Sequence, residues 1–133
     1  LSCLYSILEK TTATTEYASS REKQLLAPVI EYLNTNLTDP NLTLSVLPAL
    51  VGVSEVYLRR IFKKYFGFTP TDFVTHHRIQ LAKQLLADCY TKTISEIAAQ
   101  TGYNDPLYFS RVFKKQTGLS PSKYIQMCKE ESF

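Results

Sequence analysis

From Thr43 to the C-terminus the apolar positions return with the period of amphipathic helices, and no stretch alternates apolar and polar residues as a half-buried strand would. Leu58, Ile61, Phe62 and Tyr65 fall at i, i+3, i+4 and i+7, one stripe of a helix, and Phe109, Val112 and Phe113 repeat its first part further along. Upstream, Leu25, Val29, Leu33 and Leu37 recur every four residues behind a Ser19-x-x-Glu22 capping box, which predicts a helix over about 20–37 ended by Asp39-Pro40-Asn41. Thr69-Pro70 opens another helix, with Val74, Leu81, Ala82 and Leu85 as its stripe down to about Ala87. At the start, Leu1, Leu4, Tyr5 and Leu8 make a short amphipathic segment, followed by the β-branched run Thr11 to Thr15, a poor helix former that reads as a linker.

The pattern contains its own duplicate. Leu44 to Gly52 superimposes on Ile94 to Gly102 at a shift of 50 residues, with apolar and glycine positions coinciding. After one extra residue, Tyr57 to Pro70 lies over Tyr108 to Pro121, and seven of those fourteen pairs are identical. The same supersecondary unit therefore occurs twice. Each copy reads as a short helix, a turn through Gly52 or Gly102, a second helix capped by Ser54 or Asp105, then a Gly and a Ser/Thr-Pro that start a third. The expected architecture is all-α: two helix-turn-helix units joined by a central helix, about seven helices in all. The expected boundaries are an N-terminal remnant and linker over 1–19, a first unit over about 20–68, the connecting helix over about 69–88 and a second unit over about 91–128.

Composition narrows the function classes. The 133 residues, 44% hydrophobic with four Gly and six Pro, suffice for a packed core and exclude collagen-like or low-complexity chains. No apolar run is long enough to cross a membrane. The net charge of +3 is unevenly placed, −2 over residues 1–53 and +5 over 54–133. Cys3, Cys89 and Cys128 stand apart with no Cys-x-x-Cys pair, which fits neither a disulfide framework nor a zinc site and suits a reducing cytoplasm. His76-His77 has no third ligand nearby, and adjacent helical residues point about 100° apart. No Gly-rich phosphate loop, carboxylate pair or triad is visible, so the sequence supports neither catalysis nor a cofactor.

A helix-turn-helix sets its second helix in the DNA major groove, so the residues facing away from the core carry the chemistry. In the first unit the stripe leaves Glu55, Val56, Arg59, Arg60 and Lys63 outward; in the second it leaves Leu107, Ser110, Arg111 and Lys114 outward. Both faces are basic. An Arg there can bond guanine O6 and N7, whereas Lys63, Lys64, Lys114 and Lys115 suit phosphates, which add affinity without reading sequence. The structural alternatives stay open: Arg60 and Arg111 pairing with carboxylates across helices, Val56 and Leu107 packing on a neighbour.

The run Ala99-x-x-Gly102-Tyr103-x-Asp105-x-x-Tyr108-Phe109-Ser110-Arg111-x-Phe113-Lys114-Lys115-x-x-Gly118-x-Ser120-Pro121-Ser122-x-Tyr124 resembles the signature of the AraC/XylS family of bacterial transcription regulators. The resemblance covers about residues 21–128, including Ser54-x-x-x-Leu58-x-Arg60-x-Phe62-Lys63 and Arg78-x-x-x-Ala82-x-x-Leu85-Leu86. It implies homeodomain-like three-helix subdomains, double-stranded DNA as partner, and two recognition helices in successive major-groove segments. The base-reading positions it implies are Val56, Arg59 and Arg60 in the first unit, and Leu107, Ser110 and Arg111 in the second. It further implies contact with RNA polymerase and an N-terminal sensory domain that holds the effector; residues 1–10 and the missing initial Met suit the end of such a domain. Two positions depart from the family. Pro48 replaces the usual Ala, which should bend, shorten or delay the first unit's leading helix, and Ile125 stands where an Arg that could touch phosphate is common. The competing reading is a helical interaction module whose basic faces bind acidic partners such as RNA polymerase subunits.

Overall fold

The computed structural model describes residues 16–88 and 92–131, and their regular structure is entirely helical. Seven α-helices follow in order among the described residues: α1 Glu16–Thr35, α2 Leu47–Val51, α3 Glu55–Phe66, α4 Pro70–Asp88, α5 Ile94–Thr101, α6 Pro106–Thr117 and α7 Pro121–Glu131. A 3-10 turn, Leu44–Val46, precedes α2. Of the remnant and linker expected over 1–19, residues 1–15 lie outside the described residues, as do Cys3 and Cys89, while residues 16–19 belong to α1.

The helix expected over 20–37 is present but shifted. It begins at Glu16, which puts position 19 inside it rather than at its N-cap, and ends at Thr35. Its buried face is Leu26, Val29, Ile30 and Leu33, while Leu25 and Leu37 are only half-buried. A strict four-residue repeat advances about 400° per step and drifts about 40° off any one face. Only the 3–4 alternation of the observed set holds to one side. Pro28 lies within α1 on its exposed side.

By its internal contacts the chain forms two compact units. The first combines residues 16–35 with 43–73; its buried side chains include the α1 face, Leu47 of α2, Leu58, Ile61, Phe62 and Tyr65 of α3, and Phe73. Phe73 meets Phe62 edge-on at 5.7 Å, and Phe66 and Phe68 complete an aromatic cluster with centroids 4.6–6.5 Å apart. The second unit combines residues 36–42 with Val74 onward. Its core is Ile79, Ala82, Leu86, Ile97, Ala98, Tyr103, Phe109 and Phe113, flanked by Val112, Tyr124 and Ile125. Ile125 therefore packs against apolar side chains, which accounts for an apolar residue at that position.

The stripe expected for α4 is corrected as well. Ala82 and Val74 are buried as read, but Leu81 and Leu85 are half-buried and the principal core residues are Phe73, Ile79 and Leu86. One helix supplies Phe73 to the first unit and the rest to the second, so no single stripe describes it.

Local signals explain the helix ends. The Ser54 hydroxyl accepts the Tyr57 N–H at 3.1 Å, the Thr93 hydroxyl accepts that of Glu96 at 3.1 Å, and the Asp105 carboxylate accepts that of Leu107 at 3.0 Å. Each satisfies a backbone donor that the first helical turn leaves unpaired. Pro48 falls in the first turn of α2, where its missing N–H has no intrahelical role. The consequence is a delayed start: α2 spans five residues where its counterpart α5 spans eight.

Candidate nucleic-acid interface

The two copies present equivalent helices. Both α3 and α6 have twelve residues, begin at a side-chain cap and end at a left-handed glycine, Gly67 with φ 79° and Gly118 with φ 85°. In α3 the buried stripe is the expected Leu58, Ile61, Phe62 and Tyr65, and Glu55, Val56, Arg59, Arg60, Lys63 and Lys64 are exposed. In α6, Phe109 and Phe113 are fully buried; Leu107, Arg111, Lys114 and Lys115 are exposed and Ser110 is half-buried. Within each unit, then, the sequence-expected reading residues share one helix surface.

The packing alternative for the apolar pair fails. Val56 is 74% and Leu107 71% exposed, an arrangement that leaves two large apolar groups in water. Among the described residues neither Arg60 nor Arg111 has a carboxylate partner. Arg60 instead lies over the Tyr57 ring, 5.2 Å from its centroid, a cation–π contact of an exposed guanidinium.

The four lysines differ. Lys63, Lys114 and Lys115 extend from the last turns of α3 and α6, where cations also favour the helix dipole. Lys64 is drawn back onto its own unit: its ammonium is 3.3 Å from the Glu22 carboxylate and 5.4 Å from the Tyr65 ring centroid.

Two further residues matter that side-chain type alone did not single out. Glu55 opens α3, and its carboxylate accepts a bond from Arg59 Nη2 at 2.8 Å, both side chains exposed. The i, i+4 spacing of opposite charges was the available signal. Arg78 belongs to the second unit and organises it. Its Nε donates to the Leu37 carbonyl at 2.7 Å, its Nη2 to the Asp39 carbonyl at 2.9 Å, and its guanidinium lies 5.1 Å from the Tyr103 ring centroid. Burial raises the Tyr103 phenol above its usual pKa despite the opposing charge of Arg78. Gly102, with φ 108°, leaves room for this guanidinium: a Cβ there would stand 2.9 Å from Arg78 Nε. The turn that leads into α6 is thereby tied to α4 and to the loop over 36–42.

Sequence and structure comparisons bear on the family and the fold. Residues 47–127 match a family described as a helix-turn-helix domain. The chain is 36% identical to the lactose operon transcription activator of Staphylococcus xylosus, over 71% of this chain and 33% of that protein. It is 34% identical to the arabinose operon regulatory protein of Escherichia coli, over 76% of this chain and 34% of that protein. It thus spans about a third of the length of these curated relatives. Among solved structures, the C-terminal domain of the two-component response regulator yesN from Fusobacterium nucleatum superimposes with TM-score 0.66 at 38% identity, covering 77% of this chain and 96% of that one. The DNA-binding domain of AdpA in complex with a target DNA has the same fold, with TM-score 0.71 at 24% identity over 80% of this chain and 94% of that one.

Proposed function

This chain belongs to the AraC-type helix-turn-helix family of transcription regulators, and from that premise we propose that it reads a bipartite double-stranded DNA site through α3 and α6. The carrying observation is the duplicated exposed face: two capped twelve-residue helices that keep a large apolar group, an arginine and lysines at matching positions in water. Arg59, Arg60 and Arg111 are the principal readers, donating to guanine O6 and N7; Val56 and Leu107 contact thymine methyl groups; Ser110 adds a short hydroxyl. Lys63, Lys114 and Lys115, and to a lesser degree Lys64, meet phosphates.

α3 offers two arginines at reading positions and α6 one, so the first unit discriminates more strongly between sequences. The whole protein would regulate transcription in a bacterial cytoplasm, engaging RNA polymerase, with an effector bound by a preceding domain. These wider roles rest on the family resemblance. No helix among the described residues is long and apolar enough to cross a membrane.

Selection of bound duplexes from a random library with the 133-residue chain, followed by sequencing, tests the proposal. Enrichment of two short motifs one helical turn apart supports it. An absence of enrichment at low salt, together with binding to acidic polypeptides, would favour an interaction module.

A further inference from the structure

The exposed face of α3 carries one group that electrostatics alone would exclude. Glu55 places a carboxylate in the first turn of a helix proposed to approach a polyanion, and phosphate repulsion makes that costly to affinity. The carboxylate is not committed to the core: its side chain is 72% exposed, and it bonds Arg59, 2.8 Å away and itself 55% exposed. The duplicate supplies an internal comparison. The counterparts of Glu55 and Arg59 in α6 are Pro106 and Ser110, so the pair is particular to the first unit and is not required by the helix-turn-helix architecture.

We infer that Glu55 is a specificity-determining residue of the first unit, one that demands a base with a major-groove amino group, cytosine or adenine, beside the base contacted by Arg59. The inference rests on the DNA-reading role of α3 proposed above. Its chemistry is restrictive. An ionised carboxylate only accepts hydrogen bonds, and in the major groove only cytosine N4 and adenine N6 donate them. Guanine O6 and N7 and thymine O4 would face the carboxylate acceptor to acceptor. Arg59 has the opposite preference, since a guanidinium only donates, and its Nη2 bond to Glu55 leaves four N–H groups for guanine. Held together four residues apart on one helix face, the two form a donor–acceptor pair that fits cytosine or adenine next to guanine and opposes the reverse order.

The test is library selection with the full chain and with Glu55→Gln, which keeps the shape and exposed position but adds a donor. A control, Glu31→Gln, removes the same charge from the exposed side of α1. The expected result is one position of the first unit's motif limited to cytosine or adenine in the wild type. In Glu55→Gln that position accepts all four bases, losing about tenfold or more discrimination, while affinity for an unselected duplex rises. The wild-type motif is expected unchanged in Glu31→Gln. Identical motifs for the wild type and Glu55→Gln, with only a uniform gain in affinity, would overturn the inference and leave the reading of α3 intact. A wild type that enriches no motif would overturn both.

Discussion

Glycine and arginine meet at Gly102, and the two turn glycines of the repeat separate backbone strain from crowding. Gly52 and Gly102 occupy the same place in their copies, each closing a leading helix with positive φ, 71° and 108°. A Cβ on Gly52 meets nothing within 4 Å, whereas one on Gly102 would stand 2.9 Å from Arg78 Nε. Gly52→Ala therefore carries only the left-handed backbone penalty, about 1–2 kcal/mol. Gly102→Ala adds displacement of a guanidinium bonded to two carbonyls, and its destabilisation is expected to exceed that of Gly52→Ala. Urea unfolding of the two variants checks the order, and equal midpoints would remove the structural role assigned to Arg78. Much of this scale was legible: the stripe of α3, the caps Ser54 and Asp105 and the outward arginines follow from type and spacing, whereas Ser19, read as a cap, lies inside α1. What was hidden is long-range. The bonds of Arg78 to Leu37 and Asp39 span some forty positions, and no local pattern encodes which carbonyls a guanidinium will find.

Elements were predictable where one helix serves one core, and misread where it does not. α3 buries the stripe its periodicity named, and α6 buries Phe109 and Phe113 of its expected stripe, with Val112 half-buried beside them. α4 gives Phe73 to one unit and Val74, Ile79, Ala82 and Leu86 to the other, so a single expected stripe takes in Val74 and Ala82 but also the half-buried Leu81 and Leu85. That Pro48 would disturb α2 was readable because proline's missing N–H is a local constraint; that it does so by a delayed start, and not by a bend, is read from the structure. α4 also carries His77, whose pKa is held below its ordinary value by partial burial and by the neighbouring His76. The folded state thus takes up this proton at lower pH than the unfolded chain, in which the imidazole titrates near 6.5. Above that pH the group contributes no pH dependence. As pH falls below it the unfolded chain takes up the proton first and stability declines. Unfolding midpoints at pH 7.5 and 5.5 are expected to differ more in the wild type than in His77→Gln. An unchanged pH dependence in the variant would assign the decline to other groups.

For the whole molecule, the uneven charge and the duplicated unit make quantitative demands on binding. Each lysine that displaces a counterion from duplex DNA adds about 0.9 to the slope of log affinity against log salt. Lys63→Gln is expected to lower the slope by about that amount, and Lys64→Gln by less, because Lys64 already faces the Glu22 carboxylate. Titrations of one duplex over a salt series distinguish them, and equal reductions would mean that the Glu22 pair opens on DNA. The stronger demand concerns spacing. Two reading helices on one chain engage one face of a duplex only when their half-sites are separated by about 10–10.5 base pairs or a multiple. Inserting five base pairs turns the second half-site about 180° away. Where the chain sets the spacing, affinity is then expected to fall to that of a duplex carrying the first half-site alone. Inserting five is expected to be as damaging as scrambling the second half-site outright, and combining both changes should add nothing further, since the contact is lost once. Full affinity with five inserted base pairs would mean that the two units engage DNA independently, and the repeat would then supply avidity instead of a measured distance.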